Sequence, residues 1–291
     1  MPAAHAGFSL DGGSSFAVLY EGHGGNALNY NNSNVTGNIG IGNTGTIALS
    51  GPRTITGNVD FSGTSNVATC SSPCGVVDGV TITGAISSNV SAVTTALNDL
   101  NSLSQTLGLE TGHPLTISSG GSVNASSGKL DGSGNEVFTL KAASNFPNGT
   151  FTINGNASGT QTVVVNVPFA FSFNGSIQLT GGLTSDQVLF NFDQGNYGTL
   201  TGGNTLTIST NGAATTGTFL DPNGNIQINH TVLDGRLFGG AIQNMSIVSG
   251  ANIFAPPTPR TPEPASLTLL GTALAGMGLA VRRRRRKGGR P

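Results

Sequence analysis

Val35-Thr36-Gly37-Asn38-Ile39 recurs twenty positions later as Ile55-Thr56-Gly57-Asn58-Val59, and after a cysteine-bearing insertion as Ile82-Thr83-Gly84-Ala85-Ile86. A period near twenty is too short for an independent domain and suits one coil of a solenoid, whose alternate apolar side chains enter a shared core. Glycine and asparagine between the apolar positions take the corner conformations that other residues resist. The second half of the chain repeats the pattern in looser form. Val163 to Val167, Phe169 to Leu179, Val188 to Phe192, Leu206 to Ser209, Ile226 to Ile228 and Ile242 to Val248 are β-branched or aromatic runs parted by Gly or Asn clusters. The expected fold is mainly β, a β-helix or solenoid-like body, with a two-sheet β-sandwich as the alternative. From Asn89 to Leu107 the period changes: Val90, Val93, Leu97, Leu100, Leu103 and Leu107 lie three or four apart. That spacing predicts one amphipathic helix flanking the coils.

Charge separates the two ends of the chain. Of 12 Lys and Arg residues, seven lie at the extreme end: Arg282, Arg283, Arg284, Arg285, Arg286, Lys287 and Arg290. The five before Arg282 face thirteen acidic residues, a charge of −8 that argues against nucleic-acid binding. Prolines 256, 257, 259, 262 and 264 form an extended linker. Ala265 to Val281 is then uncharged and includes Leu267, Leu269, Leu270, Leu274, Met277, Leu279 and Val281. As a helix it would span about 25 Å, the short end of what crosses a bilayer. The basic block after it, Arg282, Arg283, Arg284, Arg285, Arg286 and Lys287, would act as a cytoplasmic stop and leave the body outside.

Pro262-Glu263-Pro264, an apolar span and a terminal arginine cluster, in that order, resemble the PEP-CTERM sorting signal. The resemblance implies a membrane-bound exosortase as partner, cleavage near the Pro-Glu-Pro, passage through the inner membrane and a final place on the cell surface or outside it. An ordinary tail anchor would have the same topology. Ala4-His5-Ala6 matches the small-x-small pattern before a signal-peptidase site, so residues 1–6 are read as a signal-peptide remnant with the true start upstream. The expected layout is a β-helix-like body over 7–250, a Pro-rich linker over 251–264 and a sorting and anchoring tail over 261–290.

The body resembles the choice-of-anchor A surface proteins, related to collagen-binding-like β-helix modules. The matching pieces are Val35 to Gly40, Ala96 to Ser104, Val163 to Val167, Val188 to Phe192 and Thr216 to Pro222. What this implies is a surface module joined to interchangeable anchors, with exopolysaccharide or matrix components as candidate partners.

Motifs for catalysis are weak. His5, His23, His113 and His230 have no paired metal-ligand spacing. Gly181-Gly182 and Gly202-Gly203 lack the lysine and helix of a phosphate cradle. Asp186 with Asp193, or Asp221 with Asp234, are the carboxylate pairs that could meet as in a polysaccharide-degrading β-helix. Neither enzyme activity, a cofactor nor a metal is expected. Cys70 and Cys74 suit a disulfide closing a tight surface loop in an oxidising compartment. Thr54-x-Thr56, Thr81-x-Thr83 and Thr205-x-Thr207 could present a flat threonine face to ice if they stacked in register. The expected function is structural or adhesive, with ice binding as the alternative and a polysaccharide-active enzyme as the second.

Overall fold

The computed structural model describes residues 7–141, 145–146, 148–192, 205–241 and 243–256. They belong to one compact unit ending at Pro256. The linker beyond it, the sorting motif Pro262, Glu263 and Pro264 and the apolar span Ala265 to Val281 lie outside the described residues. So does the whole basic block read as a cytoplasmic stop, Arg282, Arg283, Arg284, Arg285, Arg286 and Lys287, and so do His5, Asp193 and Gly202-Gly203. Among the described residues no helix is long and apolar enough to cross a membrane.

The body is a three-sided solenoid of parallel strands. The first coil is Phe16–Tyr20, Ala27–Asn31 and Asn34–Thr36; the second is Asn38–Ile41, Thr46–Ser50 and Thr54–Thr56. The repeated segments stack in register, Val35 on Ile55 on Ile82 on one side of the corner and Ile39 on Val59 on Ile86 on the other. Gly57 shows why that corner excludes side chains: a Cβ there would lie 2.4 Å from the Gly37 carbonyl oxygen. Its φ of +157° is also one that L side chains rarely adopt, so close stacking and backbone conformation both select the glycine. Burial then follows the period of two. Leu28, Tyr30, Val35, Ile39, Ile41, Ile47, Ile55 and Val59 all enter one core.

The winding is not sequential in space. After three coils the helix Ser91–Gly108 carries the chain along one face to the far end, and the remaining coils wind back towards the first. The seam closes where Val232–Gly239 pairs with Phe16–Tyr20, Met245–Val248 with Ala27–Asn31, and Asn252–Phe254 with Asn34–Thr36. The last strand lies within the stretch read as linker. Ile253, fully buried, is its one core residue and too brief an apolar signal to be recognised alone. The run Phe169 to Leu179 also differs from its reading: it is two strands, Phe171–Phe173 and Ser176–Thr180, on different faces.

The helix buries Val93, Ala96, Leu97, Leu100 and Leu107 against Leu19, Val137, Val164, Leu189, Leu220 and Phe238, which point outward from the face beneath. That face is therefore apolar on both sides, as parallel strands covered by a helix must be. Two asparagines join it to the helix end. Asn166 Nδ2 donates to the Leu107 and Glu110 carbonyls at 2.8 and 3.1 Å, and Asn191 Nδ2 to the Ser104 carbonyl at 3.1 Å. Of these acceptors Leu107 is one of the last-turn carbonyls that have no partner within the helix, and it also accepts from the Glu110 amide at 3.1 Å. Inside the returning coils, Phe173 meets Phe190 and Phe219 edge-on at 5.3 and 5.2 Å, while Phe190 and Phe219 stack at 4.9 Å.

The end beyond Val59–Phe61 is capped. Gly75–Val77 turns back antiparallel on Val80–Ile82, so the parallel ladder stops there. A disulfide joins Cys70 to Cys74, with Cα atoms 5.4 Å apart, and both cysteines pack on the core edge with Val67 and Val77. The edge strand Thr46–Ser50 is satisfied by one side chain: Asn66 Oδ1 accepts from the Ile47 amide at 3.0 Å and Nδ2 donates to its carbonyl at 2.8 Å. Such devices blunt a sheet edge against pairing with other chains.

Candidate functional site

With one face under the helix, two remain. The first consists of Asn145–Phe146, Phe171–Phe173, Thr205–Ile208, Asn225–Asn229, Met245–Val248, Ala27–Asn31 and Thr46–Ser50. None of these seven strands contains a charged residue. Their outward positions line up through consecutive registers as Ser172, Thr207, Gln227, Ser246, Asn29 and Ala48. Asn225 and Thr205 flank this column on one side, Asn229, Val248, Asn31 and Ser50 on the other. Gln227, Asn225, Thr205, Asn31, Ala48 and Ser50 are exposed. The result is an amide-and-hydroxyl surface repeating at the ~4.8 Å spacing of strands.

The second open face carries two of the three threonine pairs. Thr54 registers with Thr81, and Thr36 with Thr56; Thr83 follows on the same side, its amide donating to the Ile55 carbonyl at 3.1 Å. Thr205 and Thr207 belong to the amide face, so the three pairs do not share one array. The threonine columns are also short. Towards the returning coils they continue through Asn34 and Asn252 in one column and Phe254 and Asp234 in the other.

The carboxylates are kept apart. Asp186 is held by Arg236, itself 1% exposed, through Nε to Oδ1 at 2.7 Å. Asp234 faces outward beside Thr216 and Phe254, its pKa raised by burial and then by Asp186. Asp221 registers with Gly239, five positions beyond Asp234's row and past the Gly217–Gly235 corner. Its side chain is buried, and burial pushes its pKa well up against the opposing effect of the Gly224 backbone amide. Asp221 and Asp234 therefore do not form a pair, and Asp186 is occupied by a guanidinium. Among the described residues no group of three or more His, Cys, Asp or Glu side chains gathers as a metal site. Gly181 and Gly182 are corner residues with φ of +62° and +81°.

The sequence from residue 2 to 249 matches the ice-binding-like adhesive domain. This chain belongs to that family. The body is thus an ice-binding-like adhesive domain, and a PEP-CTERM protein-sorting motif matches residues 260–286. That match takes in Pro262, Glu263 and Pro264 and runs through Arg283, Arg284 and Arg285 to Arg286, so the arginines belong to the motif. The motif marks the protein for export, transient membrane anchoring, exosortase processing and delivery to the cell surface. Solved structures share the fold at low identity. An ice-binding protein from the Antarctic ascomycete Antarctomyces psychrotrophicus aligns with TM-score 0.56 at 15% identity, over 86% of this chain and 99% of that one. One from an Arctic yeast aligns with TM-score 0.58 at 16% identity, over 89% and 98%. An ice-binding protein from an Antarctic Flavobacteriaceae bacterium gives TM-score 0.58 at 16% identity, over 88% of this chain and 49% of that one. No curated protein matches the sequence.

Arg236, Asn166 and Asn191 were not singled out from the sequence, and Asp221 was read only as a possible partner of Asp234, not as a buried carboxyl. A signal for the asparagines does exist: Val163-Val164-Val165-Asn166 and Val188-Leu189-Phe190-Asn191 each end an apolar run with the same amide, in register. Nothing local distinguishes Arg236 from a surface arginine.

Proposed function

We propose that this exported protein is a surface adhesin whose amide face binds the hydroxyl groups of exopolysaccharide. The observation that carries the reading is the absence of charge from all seven strands of that face. Gln and Asn side chains each offer both donors and acceptors, which suits vicinal sugar hydroxyls. An uncharged face also binds neutral polymers without displacing counterions, so the contact should tolerate salt. In the same reading Ala265 to Val281 spans the inner membrane with Arg282 to Lys287 in the cytoplasm until an exosortase cuts near Pro262-Glu263-Pro264. The resemblance to choice-of-anchor A modules supports such an exchangeable arrangement of body and anchor.

Ice binding, the property named for the solved neighbours, is the second reading, favoured by the Thr54, Thr56, Thr81 and Thr83 cluster. Its small extent and the exposed amides of Gln227 and Asn225 on the other face weigh against it. The exported protein should retard in gels cast with neutral host polysaccharide, persist there at high salt, and show no thermal hysteresis. Hysteresis without polysaccharide retardation would replace the adhesive reading with the ice-binding one.

A further inference from the structure

Four large apolar side chains are exposed among the described residues: Val76, Leu109, Leu130 and Phe254. The first three sit at the cap hairpin, just after the helix and on the two-residue strand Lys129–Leu130. Phe254 is different. It lies on the open face that carries the threonines, 44% exposed, in the middle of the column Thr216, Asp234, Phe254, Thr36, Thr56. Its neighbours on both sides in the column are short polar residues, and the ring stays part exposed between them. Asp234 and Thr36 are each one strand spacing away, about 4.8 Å, so they flank the ring within reach of one bound sugar.

We propose that this column is a saccharide-binding strip, in which the Phe254 ring stacks on the apolar C–H face of a pyranose while Asp234 and Thr36 hydrogen-bond its hydroxyls. An aromatic ring offers area with little rotamer freedom to lose, and a carboxylate accepts hydrogen bonds from adjacent hydroxyls. The occupant is a neutral polysaccharide rather than an acidic one. The strip contains no Lys or Arg, Asp234 supplies negative charge, and the chain before Arg282 carries −8, so an acidic polymer would be repelled. A run of five residues across adjacent strands spans about 19 Å, long enough for several sugars of an extended chain. The inference rests on the polysaccharide reading above, and adds to the amide face a second contact of different chemistry.

The test is affinity electrophoresis and calorimetry of the exported protein with hydroxyethylcellulose as neutral probe and alginate as acidic probe. Phe254→Ala and Asp234→Ala are expected to weaken hydroxyethylcellulose binding, the former roughly tenfold. Phe254→Tyr should retain it, since the phenol stacks equally well. Alginate should bind none of these forms. Circular dichroism melts of the same variants separate lost binding from lost fold. If the wild type binds and Phe254→Ala binds equally while Gln227→Ala does not, the strip is overturned and the amide face stands alone. If the wild type binds no polysaccharide at all, both readings fall together.

Discussion

Arg236 and Asp186 meet in a two-bonded fork, Nε to Oδ1 at 2.7 Å and Nη2 to Oδ2 at 3.2 Å, with the guanidinium almost wholly buried. Its remaining donors reach the Phe16 carbonyl at 2.6 Å and the Pro256 carbonyl at 3.0 Å. One side chain thus ties the first strand, the segment just after the last strand and the short helical turn Ser185–Gln187 together at the seam. Removing it strands a carboxylate and two carbonyls. Arg236→Ala should cost about 3–5 kcal/mol in chemical denaturation, and Arg236→Lys most of that, because an ammonium cannot reproduce the fork.

Asp221 gives stability a pH slope of definite sign. Burial raises its pKa in the folded chain above the ordinary 3.8, so its contribution is full below that value and declines as pH rises towards the folded pKa. Asp221→Asn cannot ionise. The melting temperature of this variant relative to wild type should therefore rise between pH 4 and pH 7; parallel curves would show that Asp221 stays hydrated.

Glu21 behaves in the same direction over a defined window. Its carboxylate accepts from Asn101 Nδ2 at 2.9 Å, and burial still pushes its pKa up to about 6 from 4.5. The stabilisation it gives is complete below about 4.5 and fades through 6. Glu21→Gln should flatten that part of the stability profile while leaving the helix docked, which amide exchange in Ser91–Gly108 would report.

Closing the Cys70–Cys74 loop restrains the cap in the unfolded chain. Replacing both cysteines with serine should lower stability by about 2 kcal/mol, the estimate for so short a loop. Faster amide exchange should be confined to the coil around Val80–Ile82 rather than spread through the core.

The sorting motif sets the mass of the exported product. In the native host the surface form should lack everything beyond about Pro264, and in a strain without exosortase it should keep residues 265–291 and remain with the membrane. An intact tail in both strains would make the segment an ordinary anchor.

The stacked segments from Val35, Ile55 and Ile82 and the helix stripe from Val93 to Leu107 were legible because they rest on local periods, two for strands and 3.6 for the helix. The order of the coils was not. Which coil lies beside which depends on where the helix delivers the chain, and the pairing of Phe16–Tyr20 with Val232–Gly239 spans more than two hundred residues. For the same reason Thr205-x-Thr207 looked equivalent to Thr54-x-Thr56 in sequence yet belongs to another face. The burial of Arg236 and of Asp221 was opaque because a buried charge has no local pattern; its environment is assembled from distant coils.

The strand Asn252–Phe254 lies between Val232–Gly239 and Asn34–Thr36, at the waist of the solenoid rather than at either tip. Tension applied through the linker after Pro256 therefore enters in mid-stack and loads the hydrogen bonds on both flanks of that strand together, along the strand axis. Bonds sheared in parallel share a load that bonds peeled from a frayed end would meet one at a time. Were the processed C-terminus attached to the envelope, the pull would therefore fall on a strand paired on both sides rather than on a free edge.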